Sequence, residues 1–170
     1  MKDLQDVMIP IKSKIDIGIS RENRKAVAES LCQLLADEHV LYIKSRNYHW
    51  NVTGMYFQPL HALFEEQYNL LATSIDEIAE RIRSLGYFTP GSMDAFGKIS
   101  RLMETDHQEG DAQKMLENLL RDHEALIQIL RHDLDQAMEA HKDAGTSDFL
   151  TALMEEHEKM AWMLRAHLSE

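Results

Sequence analysis

Between Pro59 and Gly86 the chain carries no further glycine or proline, and LHALFEEQYNLLATSIDEIAERIRSL repeats on a helical period. Set His61 at 0° on a wheel advancing about 100° per residue. Leu60, Leu63, Phe64, Leu70, Leu71, Ile78, Ile82 and Leu85 then fall between roughly 180° and 300°, an apolar stripe that must face a core. Glu65 falls near about 40°, Asp76 near about 60° and Glu80 near about 100°, on the opposite side. One face of this helix packs, and the other carries imidazole and carboxylates.

Three more long helices are predicted. The first opens at Ser20, a suitable N-cap, and runs to about Asn51. NVTGMYFQP is a short break, Pro59 suits the first turn of the second helix, and Gly86 its C-terminal stop. A third helix is predicted over 111–143 and a fourth after Ser147. The connection between the second and third holds Pro90, Gly91 and Gly97 and is long enough to cross a bundle and carry a short helix. Helices two and three would then run parallel. The expected fold is all-α, a ferritin-like four-helix bundle with one long crossover. Residues 1–19 are read as an N-terminal tail and 20–170 as one domain, with no internal repeat.

At 170 residues and a formal charge of −11, the chain can bury a real core but suits generic phosphate-backbone binding poorly. No apolar run approaches the roughly 18 residues of a membrane span, so no membrane partner is expected. The N-terminus has no apolar signal core. The one cysteine, Cys32, reads as a buried small apolar residue in a reducing cytoplasm, prokaryotic cytoplasm or nucleoid.

Length decides how the polar face of the second helix works. Asp76 follows His61 by fifteen positions, about 22 Å along the axis. No ion or ion pair is shared over that span. Either these residues are unrelated, or a second copy supplies the missing ligands. Two second helices paired antiparallel, with a two-fold axis near Leu70 and Leu71, would bring His61 of one chain beside Asp76 and Glu80 of the other. His49, at the end of the first helix, would complete the histidine half. Carboxylates about 5 Å apart repel by about 3 kcal/mol at an effective dielectric near 20, a penalty removed by a divalent cation or by protonation. Imidazole with carboxylate suits iron, and zinc also binds by general affinity order. Spacing does not choose between them.

HWNVTGMYFQPLHALFE (49–65) resembles the signature of the Dps proteins, also called miniferritins. The second signature of that family, an Asp-x-x-[Ala/Gly]-Glu-Arg core, is matched by DEIAER at 76–81, and the last helix, with Trp162, is similar as well. The resemblance covers about residues 20–168. It implies a hollow homododecamer built from two-fold dimers, with an intersubunit di-iron centre held by His49, His61, Asp76 and Glu80. Glu65 stands where the signature often has aspartate, an auxiliary ligand. Trp50 would be a local electron donor; as a residue it reads equally well as an aromatic closing the helix end. The implied reaction is ferroxidase chemistry, Fe(II) oxidised by hydrogen peroxide in preference to dioxygen, with ferric oxyhydroxide stored in the cavity. Iron-entry pores would map to Asp148, Glu139 or Asp143, although each acid alone reads as a solvated or helix-capping residue.

The family's basic DNA-binding tail has a weak counterpart here. Lys2, Lys12, Lys14, Arg21, Arg24 and Lys25 face Asp3, Asp6, Asp16 and Glu22 within residues 1–25, which argues against tight DNA binding. His39, His123, His132, His141, His157 and His167 read as surface or capping residues. The Glu-x-x-His spacing of ETDH (104–107) lies in the crossover, so a di-iron centre within one subunit is discounted. Met154, Met160 and Met163 read as core filling. Three functions compete: peroxide-consuming iron store, nucleoid-compacting DNA binder, and acidic helical assembly without chemistry.

Overall fold

The computed structural model describes residues 8–104 and 111–168. Five α-helices follow in order: α1 (Arg21–Asn51), α2 (Phe57–Ser84), α3 (Met93–Ile99), α4 (Ala112–Asp135) and α5 (Ala144–Leu168). Ser20 caps α1 as expected, its side chain accepting from the Asn23 amide at 3.1 Å. The second helix begins two residues before Pro59, which sits in its first turn where a missing N–H costs nothing. Gly86 takes a left-handed φ of +99°, and a Cβ there would meet Ile15 Cδ1 at 2.3 Å. Glycine thus both stops α2 and lets the N-terminal stretch lie against it. Ile11 donates to the Gly86 carbonyl at 2.9 Å, and Phe88 to that of Ile9 at 2.8 Å.

The register of side-chain bonds fixes the topology. His49 meets His61, so α1 and α2 are antiparallel. Lys44 reaches Asp122 while Ser30 reaches Asp133, so α1 and α4 are antiparallel. Therefore α2 and α4 run parallel, and the connection carrying α3 crosses the bundle, as the sequence predicts. Asp37, fully buried, holds that connection down: it accepts from Ser100 Oγ at 3.0 Å and Arg101 Nε at 2.7 Å. Burial raises the Asp37 carboxyl above its usual range, and Arg101 acts against that.

Leu60, Phe64, Leu71, Ile78, Ile82 and Leu85 of the predicted stripe are buried. Leu70 is an exception, 37% exposed. It sits at the margin of the stripe, where packing rather than period decides. Cys32 is buried as expected, its thiol pushed up to about 12 by desolvation. Met154 and Met160 are core residues and Met163 packs against the core.

The helix predicted over 111–143, observed as α4, departs from expectation at its end. It leaves the α-helical pattern after Asp135, and Gln136–Ala140 form one π-helical turn. Lys142 then takes a positive φ of 55°, and α5 starts at Ala144 rather than after Ser147. Asp143 makes the early start possible. Its carboxylate accepts from the Thr146 amide at 2.9 Å and Oγ1 at 2.6 Å, and from Arg81 Nη2 at 2.8 Å.

Candidate metal centre

His49 comes from the last turn of α1 and His61 from the first turns of α2. The break between them folds the two helices back so that the rings stack, centroids 3.7 Å apart and planes at 20°. Each Nδ1 lies 2.8 Å from the backbone carbonyl of the other histidine. A carbonyl oxygen only accepts, so both Nδ1 atoms carry hydrogen, and in the neutral rings the lone pairs lie on Nε2. A reciprocal arrangement of this kind fixes tautomer and ring orientation together, as supporting hydrogen bonds do for metal-binding imidazoles.

The rings are not isolated. Phe57 stacks on His61 at 5.0 Å, and Tyr68 meets His49 edge-on at 5.3 Å and 81°. His49 is buried and His61 half-buried. Glu65, one turn beyond His61, is exposed and accepts from Tyr68 Oη at 3.3 Å. Asp76 and Glu80 are exposed further along the same helix, and among the described residues neither forms an ion pair. One chain brings together His49, His61 and Glu65's helix turn, and does not bring Asp76 or Glu80 to them. Accordingly, no group of three or more metal-ligating side chains able to hold an ion is assembled among the described residues.

Near the histidines several large apolar side chains reach the surface. Trp50 is 61% exposed, and Ile43, Phe57 and Leu70 are exposed too. An aromatic cluster that the sequence reading did not single out lies behind Trp50. The Arg46 guanidinium sits over three rings, at 4.9 Å from Tyr68, 5.3 Å from Trp50 and 5.5 Å from Tyr42. The signal was present: Tyr42, Arg46, His49 and Trp50 follow helical spacing on α1, and Tyr68 lies one turn after Glu65.

The remaining candidates divide. Glu139 and Asp148 are exposed near the α4–α5 turn. Asp143 is corrected as a pore residue: it is buried, with both oxygens engaged by Arg81 and Thr146. His123 and His157 are corrected as surface residues, since both are fully buried. His157 Nε2 lies 2.8 Å from Glu38 Oε1, and its Nδ1 lies 2.9 Å from His123 Nδ1. This series of contacts spans α1, α5 and α4, and leaves His123 Nε2 and Glu38 Oε2 without hydrogen-bond partners among the described residues. Burial, then His157, lowers the His123 pKa well below its ordinary value. His39 is half-buried, stacked on Phe96 at 3.9 Å. Of ETDH, only Glu104 lies within the described residues.

Crossed helices with one histidine pair and a carboxylate-bearing second helix define a ferritin-like protein, and the ferritin-like domain family matches residues 28–170. A low temperature-induced protein of Nostoc sp. is 46% identical over 91% of this chain and 87% of its own length. DNA protection during starvation protein 2 of Bacillus anthracis is 40% identical over 86% of this chain and 99% of its own. The Dps protein of Vibrio cholerae O1, described as a ferritin-like diiron-carboxylate protein, superposes with a TM-score of 0.86 at 34% identity, covering 92% of this chain and 100% of that one. The chain belongs to the Dps family.

Proposed function

We propose that the protein is an iron-storing ferroxidase whose substrate ions are held between two copies of the chain. The observation that carries this reading is the reciprocal hydrogen bonding of His49 and His61, which aims two Nε2 lone pairs from one rigid pair of helix ends. Support also comes from the similarity to a diiron-carboxylate protein. Imidazole nitrogen with carboxylate oxygen fits Fe(II), and zinc would compete for the same donors. His49 and His61 of one copy would bind with Asp76 and Glu80 of the other, Glu65 assisting.

Two bound Fe(II) ions each give one electron to peroxide, so the O–O bond is cleaved without releasing a one-electron oxidant. The residues of this chain would hold the ions at fixed spacing and orient the imidazoles. Fe(II) would enter past Glu139 and Asp148, and oxidised iron would collect inside a dodecameric shell in the cytoplasm. Among the described residues no helix is long and apolar enough to cross a membrane.

Anaerobic Fe(II) titration followed by peroxide tests the reading. Saturable binding and fast oxidation are expected in the parent, and both should vanish in the double variant His61→Ala, Asp76→Ala while the shell still forms. Oxidation at the parental rate in that variant would refute the ligand set. One observation favours a second reading, docking of DNA phosphates: Lys12, Lys14, Arg21 and Arg24 line one cleft of about 340 Å³ beside Gly86. Gel retardation over rising salt separates the two, and no retardation at low salt eliminates the second.

A further inference from the structure

We propose that Tyr68, not Trp50, supplies the second electron when peroxide reaches a site holding a single Fe(II). This rests on the ferroxidase reading above and deepens it. Peroxide needs two electrons, and one Fe(II) gives one. Without a second donor, O–O cleavage leaves a hydroxyl radical. With Tyr68 the step balances: Fe(II), H2O2 and the phenol give Fe(III), a neutral phenoxyl radical, one hydroxide and one water.

Three observations choose Tyr68 among the rings of the cluster. The first is contact. Tyr68 meets the His49 ring edge-on at 5.3 Å, which puts its π-system against a proposed iron ligand. The second is the proton. A phenol gives up an electron readily only as its O–H bond breaks, and Tyr68 Oη donates to Glu65 Oε1 at 3.3 Å. The carboxylate receives the proton and passes it on to the hydroxide formed. The third is Arg46. Its charge lies 4.9 Å from Tyr68 and 5.3 Å from Trp50, and so opposes a radical cation on either ring alike. A radical that has lost its proton escapes that penalty. Tyr42 is disfavoured differently, because its oxygen accepts from Arg46 Nη1 at 2.6 Å and so faces a positive charge directly. It lies edge-on to Tyr68 at 6.2 Å and provides an onward path for the hole.

The assembled protein loaded with less than one Fe(II) per site, mixed with peroxide and freeze-quenched, should give a tyrosyl radical by electron paramagnetic resonance. Tyr68→Phe should lose that signal and Trp50→Phe should keep it. Growth on ring-deuterated tyrosine should narrow the signal in the unaltered protein, and ring-deuterated tryptophan should not, which decides the matter even where Tyr68→Phe folds poorly. Iron consumption is followed in the same samples. If iron is oxidised but the radical is on tryptophan, survives Tyr68→Phe, or never forms, the relay falls and the ferroxidase stands. If the parent oxidises no iron, both fall.

Discussion

His123 makes a residue-scale prediction because burial and the neighbouring His157 both oppose its charge. From α5, His157 meets it at 2.9 Å, Glu38 of α1 lies beyond His157, and no solvent reaches the ring. The sign follows from the depressed folded pKa. The unfolded chain takes up a proton near its ordinary value of 6.5, while the folded site refuses it until well below. Below pH 6.5 the unfolded state therefore binds more protons, and stability falls as pH falls, by up to about 1.4 kcal/mol per pH unit. His39, also lowered by burial, adds in the same sense. Melting temperature should be flat above about pH 7 and drop between pH 6.5 and the folded pKa. His123→Gln should flatten that drop, and an unchanged profile in the variant would disprove the assignment. None of this was legible from sequence. A histidine's neighbours on other helices depend on which faces meet, and period within one helix does not encode that. His49 and His61 were legible because their spacing across a short turn left few ways to fold back.

At the scale of elements, the four long helices and the crossover could be read because length, caps and breakers act locally. Ser20 and Gly86 set the ends they were expected to set. The end of α4 could not be read, since a π-turn is a local slip of backbone hydrogen bonds from i→i+4 to i→i+5 that no residue type marks. Asp143 was left between pore acid and helix cap for a related reason: an acid near a turn reads alike as surface charge or cap until its partner is known. That partner is Arg81, the arginine of DEIAER, reaching from α2 to the start of α5. Replacing Asp143 with Ala removes the bonds to the Thr146 amide and hydroxyl and leaves the guanidinium, 27% exposed, without its carboxylate. A cap is worth about 1 kcal/mol and an abandoned buried partner about 1–3 kcal/mol. Asp143→Ala should thus cost about 2–4 kcal/mol in denaturant unfolding. A loss below about 0.5 kcal/mol, the range of an ordinary surface substitution, would show that α5 starts without this clamp.

The whole molecule carries the decisive test, because the proposed site does not exist in one chain. His61 and Asp76 stand about 22 Å apart along α2, and the surface between them includes Leu70, exposed in the single chain. An isologous pairing over Leu70 would cover that surface and complete two equivalent sites, each with histidines from one copy and carboxylates from the other. Such a division predicts complementation. A chain with His49→Ala and His61→Ala is inactive alone, and so is a chain with Asp76→Ala and Glu80→Ala. Co-assembled in equal amounts, half of the interfaces pair unlike chains. In each of these one site collects both mutant halves and the other keeps every ligand. About a quarter of all sites should then be intact by random pairing, so roughly a quarter of parental fast Fe(II) oxidation should return. Ligands confined to one chain would give no recovery at any mixing ratio. Sedimentation of the mixture, performed alongside, ensures that a null result reports the location of the ligands and not a failure to assemble.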